Sequence, residues 1–545
     1  MKKIISALIL VTLLTSMLPL VCKAEPFKTG FGTGDAQNRL LETETEKAKI
    51  IERVIAPNEL ERLKKNTGVW EEGDNCNPII GGHGTGLRPP TEKDWARIAT
   101  ETFVVEEVRL SQGTEPPASV DNSATPWFPP IGNQDGEGSC TAWAVGYYTK
   151  TFQEAKEHGW NVSAAVWWGG YIGYPSQEYQ DKIMSPDFIY HLVNWGEDYG
   201  STFYDAINLV CSIGACSWKK MPYNPNDHST WPSEAAWREA ALYRGSSSGM
   251  EEMLLATDED LMNLKSWLAA ENLAIIAVDA NYYYDLTNDD VWTLDNYHNP
   301  NLNHANTIVG YDDNFTYIEQ GELRQGAFKI ANSWGVGSWE KAADGFYWIS
   351  YEAMKQVVGY CAFYSDRIGY EPELFASFKI NHSRRGECNI SIGMADYPNL
   401  TRRFNEFIQG GDRPFCANNI VLDITEIKQA VPRIYDKKFF LELYDGDSST
   451  TGTIERFAVE TTECEDTPIA TVKDAYAYAY LTLLRCFDIN SDGGVDIADI
   501  FEVAMAYGSY LGHPKWNLQA DINGDDEVDI MDIYYIAKHF GKTYT

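Results

Sequence analysis

Past its first 21 residues the chain has no unbroken apolar run of the roughly 18 or more residues that a membrane-spanning helix needs, so no span is expected in a processed chain. Positive charge is also short: 44 Lys and Arg stand against 79 Asp and Glu, a formal net charge of −35. Such a field repels phosphate backbones and excludes nucleic acid as a partner. A second close-spaced cysteine pair is missing too. Cys211 and Cys216 stand alone at a spacing that could ligate metal, so a disulfide or two free thiols is expected there rather than zinc.

What is present begins with Lys2 and Lys3, an apolar run from Ile4 to Val21, and Cys22-Lys23-Ala24. That order reads as a secretory signal peptide over 1–24, cleaved near Ala24, and is favoured over an uncleaved anchor because polar residues follow at once. A secreted or cell-surface protein is expected. With Cys22 and Cys140 set aside, Cys76, Cys211, Cys216, Cys361, Cys388, Cys416, Cys464 and Cys486 remain, an even number that export would allow to oxidise in a pattern the sequence leaves open. A length of 545 residues is enough for three or four domains.

The chemistry gathers around Gly132-Asn133-Gln134-Asp135-Gly136-Glu137-Gly138-Ser139-Cys140-Thr141-Ala142-Trp143. A glycine-rich turn delivers Cys140 to the start of an apolar run able to continue as a helix. There, unpaired N–H groups and the positive end of the dipole lower a thiol pKa. A base is required beside such a nucleophile. His304 precedes the strand-like Ala305-Asn306-Thr307-Ile308-Val309, and Lys329-Ile330-Ala331-Asn332-Ser333-Trp334-Gly335 follows on a second run.

These blocks, in this order, resemble the papain-like cysteine peptidases over roughly residues 114–368. The resemblance implies an α+β, two-lobed catalytic domain with Cys140 as nucleophile and His304 as the base in an ion pair with it. It further implies Asn332 as the amide that orients the imidazole, Gln134 as the side-chain donor of the oxyanion hole and Trp334 as the indole shielding the Asn–His bond. Tyr199-Gly200-Ser201 corresponds to the wall that binds substrate backbone, giving Gly200 and Ser201 as binding positions. Pro117-Ala118-Ser119-Val120-Asp121, Ser185-Pro186-Asp187-Phe188-Ile189-Tyr190 and Gly345-Phe346-Tyr347-Trp348-Ile349 also match. Glu137 departs from the pattern, standing where many members have a disulfide-bonded Cys, as do Thr141, which replaces a Trp, and a polar insertion at 312–325. The implied activity is cysteine endopeptidase on protein or peptide, with no cofactor for catalysis. The alternatives are a closed, non-catalytic binding or adhesion module and a papain-like acyl transferase.

Upstream, residues 25–113 hold a charged helix-like segment over 44–65 and a Gly- and Pro-rich loop from Gly73 to Pro90. This region is expected to be either a pro-segment or an extension that packs without inhibiting. Downstream, alternating runs at 375–380, 389–393, 420–424, 439–444 and 454–459 predict an all-β sandwich over 369–460, which could take a carbohydrate or protein ligand or serve only for support. Residues 461–484 read as a linker.

Over 485–545 a repeat appears. Asp488, Asn490, Asp492, Gly494, Asp496 and Asp499 recur 33 residues later as Asp521, Asn523, Asp525, Glu527, Asp529 and Asp532. Oxygen side chains at positions 1, 3, 5, 9 and 12, with a backbone carbonyl at 7, are what a calcium loop supplies, and two ions are expected. Each loop runs into one amphipathic helix. Paired loops of this kind resemble a small α-helical dockerin domain, which implies a cohesin-bearing scaffold protein as partner. Ile497-Ala498 and Ile530-Met531 are either its contacts or the packing between the two halves.

Overall fold

The computed structural model describes residues 48–541, except 72, 112, 170–172, 338, 409–412, 432–433, 436, 447–448, 484–486, 488, 491–493, 518, 524 and 526. The signal-peptide expectation lies outside the described residues. Within them no helix is long and apolar enough to cross a membrane.

The architecture is mixed α+β, with several β-sheets. Its first elements are β1 (Ala48–Val54), α1 (Pro57–Thr67), α2 (Glu92–Glu101) and β2 (Phe103–Leu110). A long helical run, α3, opens at Cys140 and proceeds through Cys140–Ala142, a wider-wound Trp143–Lys150 and Thr151–His158. It is followed by α4 (Pro186–Val193) and α5 (Phe203–Ser212), then β3 (Glu251–Leu254), α6 (Asp258–Ala269) and β4 (Ala274–Val278). After these come β5 (His304–Glu319), β6 (Glu322–Ala331), β7 (Phe346–Ser350) and β8 (Tyr360–Phe363). The main sheet runs β1-β2-β3-β8-β4-β5-β6-β7, with Val291–Trp292 at its edge.

The helix expected over 44–65 is replaced, within its described part, by β1 followed by α1. Ala48, Ile50 and Glu52 face inward on every second position, and antiparallel pairing to β2 rewards that period over the helical one. The residues upstream of 113 therefore extend the main sheet rather than hang from it. β2 joins β3 in parallel, placing Glu252 opposite Val104.

Burial, aided by Glu59 on α1, pushes the Glu252 carboxyl up to about 8, so it is protonated at neutral pH in the fold and ionised in the open chain. A raised value stabilises the fold below the ordinary carboxylate range, and that contribution is lost as pH rises toward 8. Glu252→Gln is thus expected to stabilise the protein by on the order of 2–4 kcal/mol at pH 8 and to have little effect near pH 4.5. Urea denaturation at the two pH values checks this; a gain of equal size at both would refute it.

The polar insertion 312–325 forms the tip of the β5–β6 hairpin, where Tyr317 pairs with Arg324. The expected sandwich strands all form, but a short helix, Thr425–Ala430, stands among them, so the region expected to be all-β is not. One sheet holds β9 (Phe375–Asn381), β12 (Ile420–Asp423) and β14 (Thr453–Val459), and the other β10 (Cys388–Met394), β11 (Tyr397–Arg403), β13 (Lys438–Asp445) and β15 (Ala475–Thr482). The stretch read as a linker thus supplies β15, paired with β13 along its whole length. Arg244 ties the sandwich to the helical lobe through Asp423 at 3.0 Å and Glu426 at 2.9 Å. Near the C-terminus, α7 (Ile497–Met505) and α8 (Ile530–Lys538) pack over a small core that includes Val495, Val503, Ile522, Val528 and Ile536.

Candidate active site

Cys140 is the first helical residue of α3 and is fully buried. The Ala305 N–H donates to its Sγ at 3.3 Å, so the sulfur lies against the backbone step next to His304. His304 opens β5. The β5–β6 pairing, Thr307 opposite Ala331, brings Asn332 back beside it across 28 residues of sequence. His304 Nε2 donates to Asn332 Oδ1 at 2.9 Å, which leaves Nδ1 without a hydrogen-bond partner and able to take a proton. The same Asn332 oxygen accepts from Asn306 Nδ2 at 3.0 Å and from the Ser333 N–H at 2.8 Å. Trp334 covers the pair, its ring 4.9 Å from that of His304. Three widely separated stretches are thereby brought together: the sulfur of Cys140 meets the Ala305 N–H, and His304 meets Asn332.

Gln134 is also where it was expected. The Ser333 hydroxyl donates to Gln134 Oε1 at 2.6 Å, which turns Nε2 toward the Cys140 N–H. What the sequence did not reveal is what those donors hold. The carbonyl oxygen of Thr85 accepts from Gln134 Nε2 at 3.2 Å and from the Cys140 N–H at 3.4 Å, the place an oxyanion would occupy. Gly84 O accepts from Gln134 Nε2 at 3.1 Å and from Trp334 Nε1 at 3.0 Å. His83 stacks on Trp334, with ring centroids 4.9 Å apart.

The expected binding wall is occupied by the same strap. Ser201 N–H donates to Gly86 O at 2.9 Å, Arg88 N–H to Ser201 O at 3.0 Å, and Leu87 N–H to Asn303 O at 3.0 Å. Only glycine allows so close an approach: a Cβ on Gly86 would sit 1.9 Å from Gly138 O, and one on Gly200 would sit 2.2 Å from Gly86 O. Arg88 pins the strap. Its guanidinium is buried over the Trp70 ring at 4.3 Å, and Nη2 reaches Asp205 Oδ2 at 3.0 Å.

Because the strap excludes water, burial pushes the Cys140 thiol up to about 12 and the His304 imidazole down to about 4. With the strap in place both groups are neutral. The sequence signal for the strap was the Gly-Gly-His-Gly-Thr-Gly run at 81–86.

Cys211 and Cys216 carry free thiols, as do Cys76, Cys361, Cys416 and Cys464. Of the expected calcium ligands, Asp488 and Asp492 lie outside the described residues. Asp499 and Asp532 are fully buried and fold their own loops: Asp499 accepts from the N–H of Ile489 at 2.6 Å and of Asp496 at 2.8 Å, and Asp532 from Asn523 at 2.9 Å and Asp529 at 2.7 Å. Ile497, Ile530 and Met531 point outward, 69%, 47% and 42% exposed, and do not pack the halves together. On β15, Tyr476, Tyr478 and Tyr480 form an exposed row with centroids 6.3 and 5.7 Å apart.

No protein-family profile and no curated protein matches the chain. Over 46% of its length it is similar to xylellain, a cysteine protease from Xylella fastidiosa, covering 86% of that chain at 22% identity with a TM-score of 0.33. It is similar to the bromelain protease of Ananas comosus over 46% of this chain and 99% of that one, at 16% identity and a TM-score of 0.32. It is also similar to the proform of Amb a 11, a ragweed pollen cysteine protease, over 48% and 69%, at 19% identity and a TM-score of 0.33. These likenesses are too slight to carry a functional conclusion, which rests on the residues and distances above.

Proposed function

We propose that the protein is a secreted papain-like cysteine endopeptidase, held closed by its own strap at 81–88 and attached through a calcium-binding, dockerin-like C-terminal module to a cohesin-bearing scaffold or cell surface. The observation that carries the enzymatic reading is the Thr85 carbonyl held jointly by the Cys140 N–H and Gln134 Nε2, with the Cys140 sulfur on the Ala305 N–H next in sequence to the Asn332-bound His304. These are the donors a tetrahedral oxyanion would use. Once the strap is displaced, the Cys140 thiolate attacks the scissile carbonyl, the His304 imidazolium protonates the leaving amine, and the neutral imidazole then takes a proton from water as it attacks the acyl-enzyme, releasing the acid and the thiolate.

The experiment is hydrolysis of a denatured protein by the full chain before and after limited proteolysis within the strap. Turnover that appears only after cleavage and disappears on alkylation of Cys140 supports the reading. The bound strap also favours a second reading, a closed adhesion module. Stoichiometric binding without turnover in the cleaved protein would select it. Acyl transfer to an amine passes through the same acyl-enzyme and is distinguished by its product.

At the C-terminal end the oxygen-rich loops support calcium, and the outward Ile497, Ile530 and Met531 support a hydrophobic docking face. Chelating calcium is expected to cost the 485–545 segment its helical signal, and Ile530→Asp with Met531→Asp to weaken binding to a cohesin-bearing scaffold about a hundredfold. Circular dichroism and surface binding measure the two effects; a spectrum indifferent to chelator would remove calcium from this account. The tyrosine row on β15 is the face we propose for a carbohydrate or protein ligand of the sandwich.

A further inference from the structure

Beneath the loop that carries Gln134 and Cys140, three side chains converge that the chemistry above does not use. Glu137 comes from that loop, while Asp187 and His191 lie one turn apart on α4; each is at most 2% exposed. His191 Nδ1 lies 2.6 Å from Thr230 O and donates to that carbonyl, since a carbonyl can only accept. The neutral ring is thereby fixed with a bare lone pair on Nε2. That nitrogen stands 3.6 Å from Asp187 Oδ1 and 4.0 Å from Glu137 Oε1.

No hydrogen bond joins the three to one another. Both oxygens of Glu137, Oδ1 of Asp187 and Nε2 of His191 have no hydrogen-bond partner, while the other Asp187 oxygen accepts from the Asn224 N–H at 2.8 Å. The Ser139 and Tyr223 hydroxyls lie beside the Glu137 carboxylate, but Tyr223 OH is spent on Gln134 O at 2.7 Å and the two hydroxyls bond each other at 2.8 Å. The nearby Asp198 is satisfied by Gly138 N–H and Tyr190 OH on one oxygen and Asn77 Nδ2 on the other.

Three buried acceptors facing one another without a donor are costly, because each has lost water and gained nothing. Their separations are too long for hydrogen bonds. One atom from each residue can nevertheless be chosen so that all three lie within 4.8 Å of one another. Two metal–ligand bonds of about 2.0–2.2 Å, meeting at ordinary angles, span roughly 3–4 Å. A ligating imidazole also anchors its other N–H on a backbone carbonyl or carboxylate, as His191 does on Thr230.

We propose that Glu137, Asp187 and His191 form a structural site for a divalent transition-metal ion of the zinc class. One nitrogen among the ligands disfavours calcium, which takes oxygens, and a dipositive ion neutralises two buried carboxylates that otherwise have no cation. The ion would tie the loop bearing Gln134 and Cys140 to α4. It would act on the oxyanion donors only by positioning, through the Glu137 carbonyl that accepts from Gln134 Nε2 at 2.8 Å. The inference rests on the α4–loop geometry and stands whether or not the cleft hydrolyses peptides.

The test uses the full chain, stripped with chelator and re-equilibrated with zinc in excess calcium, so that oxygen-only sites are already filled. Zinc content is read by mass spectrometry, and cobalt is substituted to read the ligand-field spectrum. The wild type is expected to retain one equivalent, with a raised thermal midpoint and an imidazole-ligated cobalt spectrum. His191→Gln and the near-isosteric Glu137→Gln should each weaken binding about tenfold to a hundredfold. His158→Gln, in the partly exposed trio with Glu154 and Glu157, should leave the retained equivalent in place. Zinc content equal in wild type and His191→Gln would overturn the proposal. So would a stripped wild type whose midpoint zinc does not move, together with a Glu137→Gln variant as stable as the wild type, because shared protons would then hold the cluster.

Discussion

Replacing Arg88 with Ala is expected to raise hydrolysis of a denatured protein by the full-length chain about ten- to a hundredfold. The guanidinium is the strap's deepest anchor, buried over Trp70 and paired with Asp205 at 3.0 Å. Breaking a buried ion pair typically costs about 3–5 kcal/mol, and here that cost falls on the closed form. The flanking elements β1, α1, α2 and β2 stay docked on the main sheet, so the fold should survive while the strap between them loosens. Two readouts separate the outcomes. Alkylation of the otherwise buried Cys140, followed by peptide mass spectrometry, reports opening, and turnover reports chemistry. Opening without turnover would select the closed adhesion reading. In a Cys140→Ala background, where no thiolate can share the proton, acid should act in the same direction: burial holds His304 down to about 4, so only the open form gains its proton as pH falls from about 6.5, and the closed form loses its advantage over that window. Protease sensitivity of the strap, rising toward pH 4, measures this.

The sequence revealed the chemistry better than the closure. Cys140, His304 and Asn332 sit at element boundaries, a helix start or a strand end, where local composition marks the turn, while Gln134, in the loop before the helix, was reached only through the family resemblance. The β5–β6 hairpin then had only one way to bring His304 and Asn332 together. The strap was not legible, because a glycine-rich loop has no period and its bonds run from backbone to distant backbone. Asn306 was overlooked for a related reason. Its role, holding Asn332 while accepting from Tyr283 and Tyr347 at 2.6 and 2.8 Å, depends on neighbours 23 and 41 residues away. β15 escaped because its alternation is inverted: Ala477 and Ala479 face the core, and the larger Tyr476, Tyr478 and Tyr480 face out. A pattern search that weights bulky apolar residues reads such a strand backwards.

In a strap-released background, such as Arg88→Ala, Cys140→Ala is expected to lower the rate by about 10⁴-fold or more, whereas Asn332→Ala and Gln134→Ala should each lower it about a hundredfold. The order follows from what each group touches. Cys140 supplies the only sulfur among the described residues that is bonded to the Ala305 N–H next to His304, and without it no acyl-enzyme forms. Asn332 acts through His304, holding Nε2 at 2.9 Å so that Nδ1 stays the basic nitrogen; losing it frees the ring to turn but leaves the base present. Gln134 is one of the two donors that hold Thr85 O and are proposed to hold the oxyanion, and the Cys140 N–H would remain. The Asn332→Ala loss should fall on kcat, because a misoriented imidazole does not change how substrate backbone meets Ser201, whereas Ser201→Pro, which removes the N–H that now holds Gly86 O, should raise KM. Steady-state kinetics on one peptide substrate decide the matter. If Cys140→Ala kept even a tenth of the turnover, the nucleophile would lie elsewhere, and the convergence of sulfur, imidazole and amide would be a feature of packing alone.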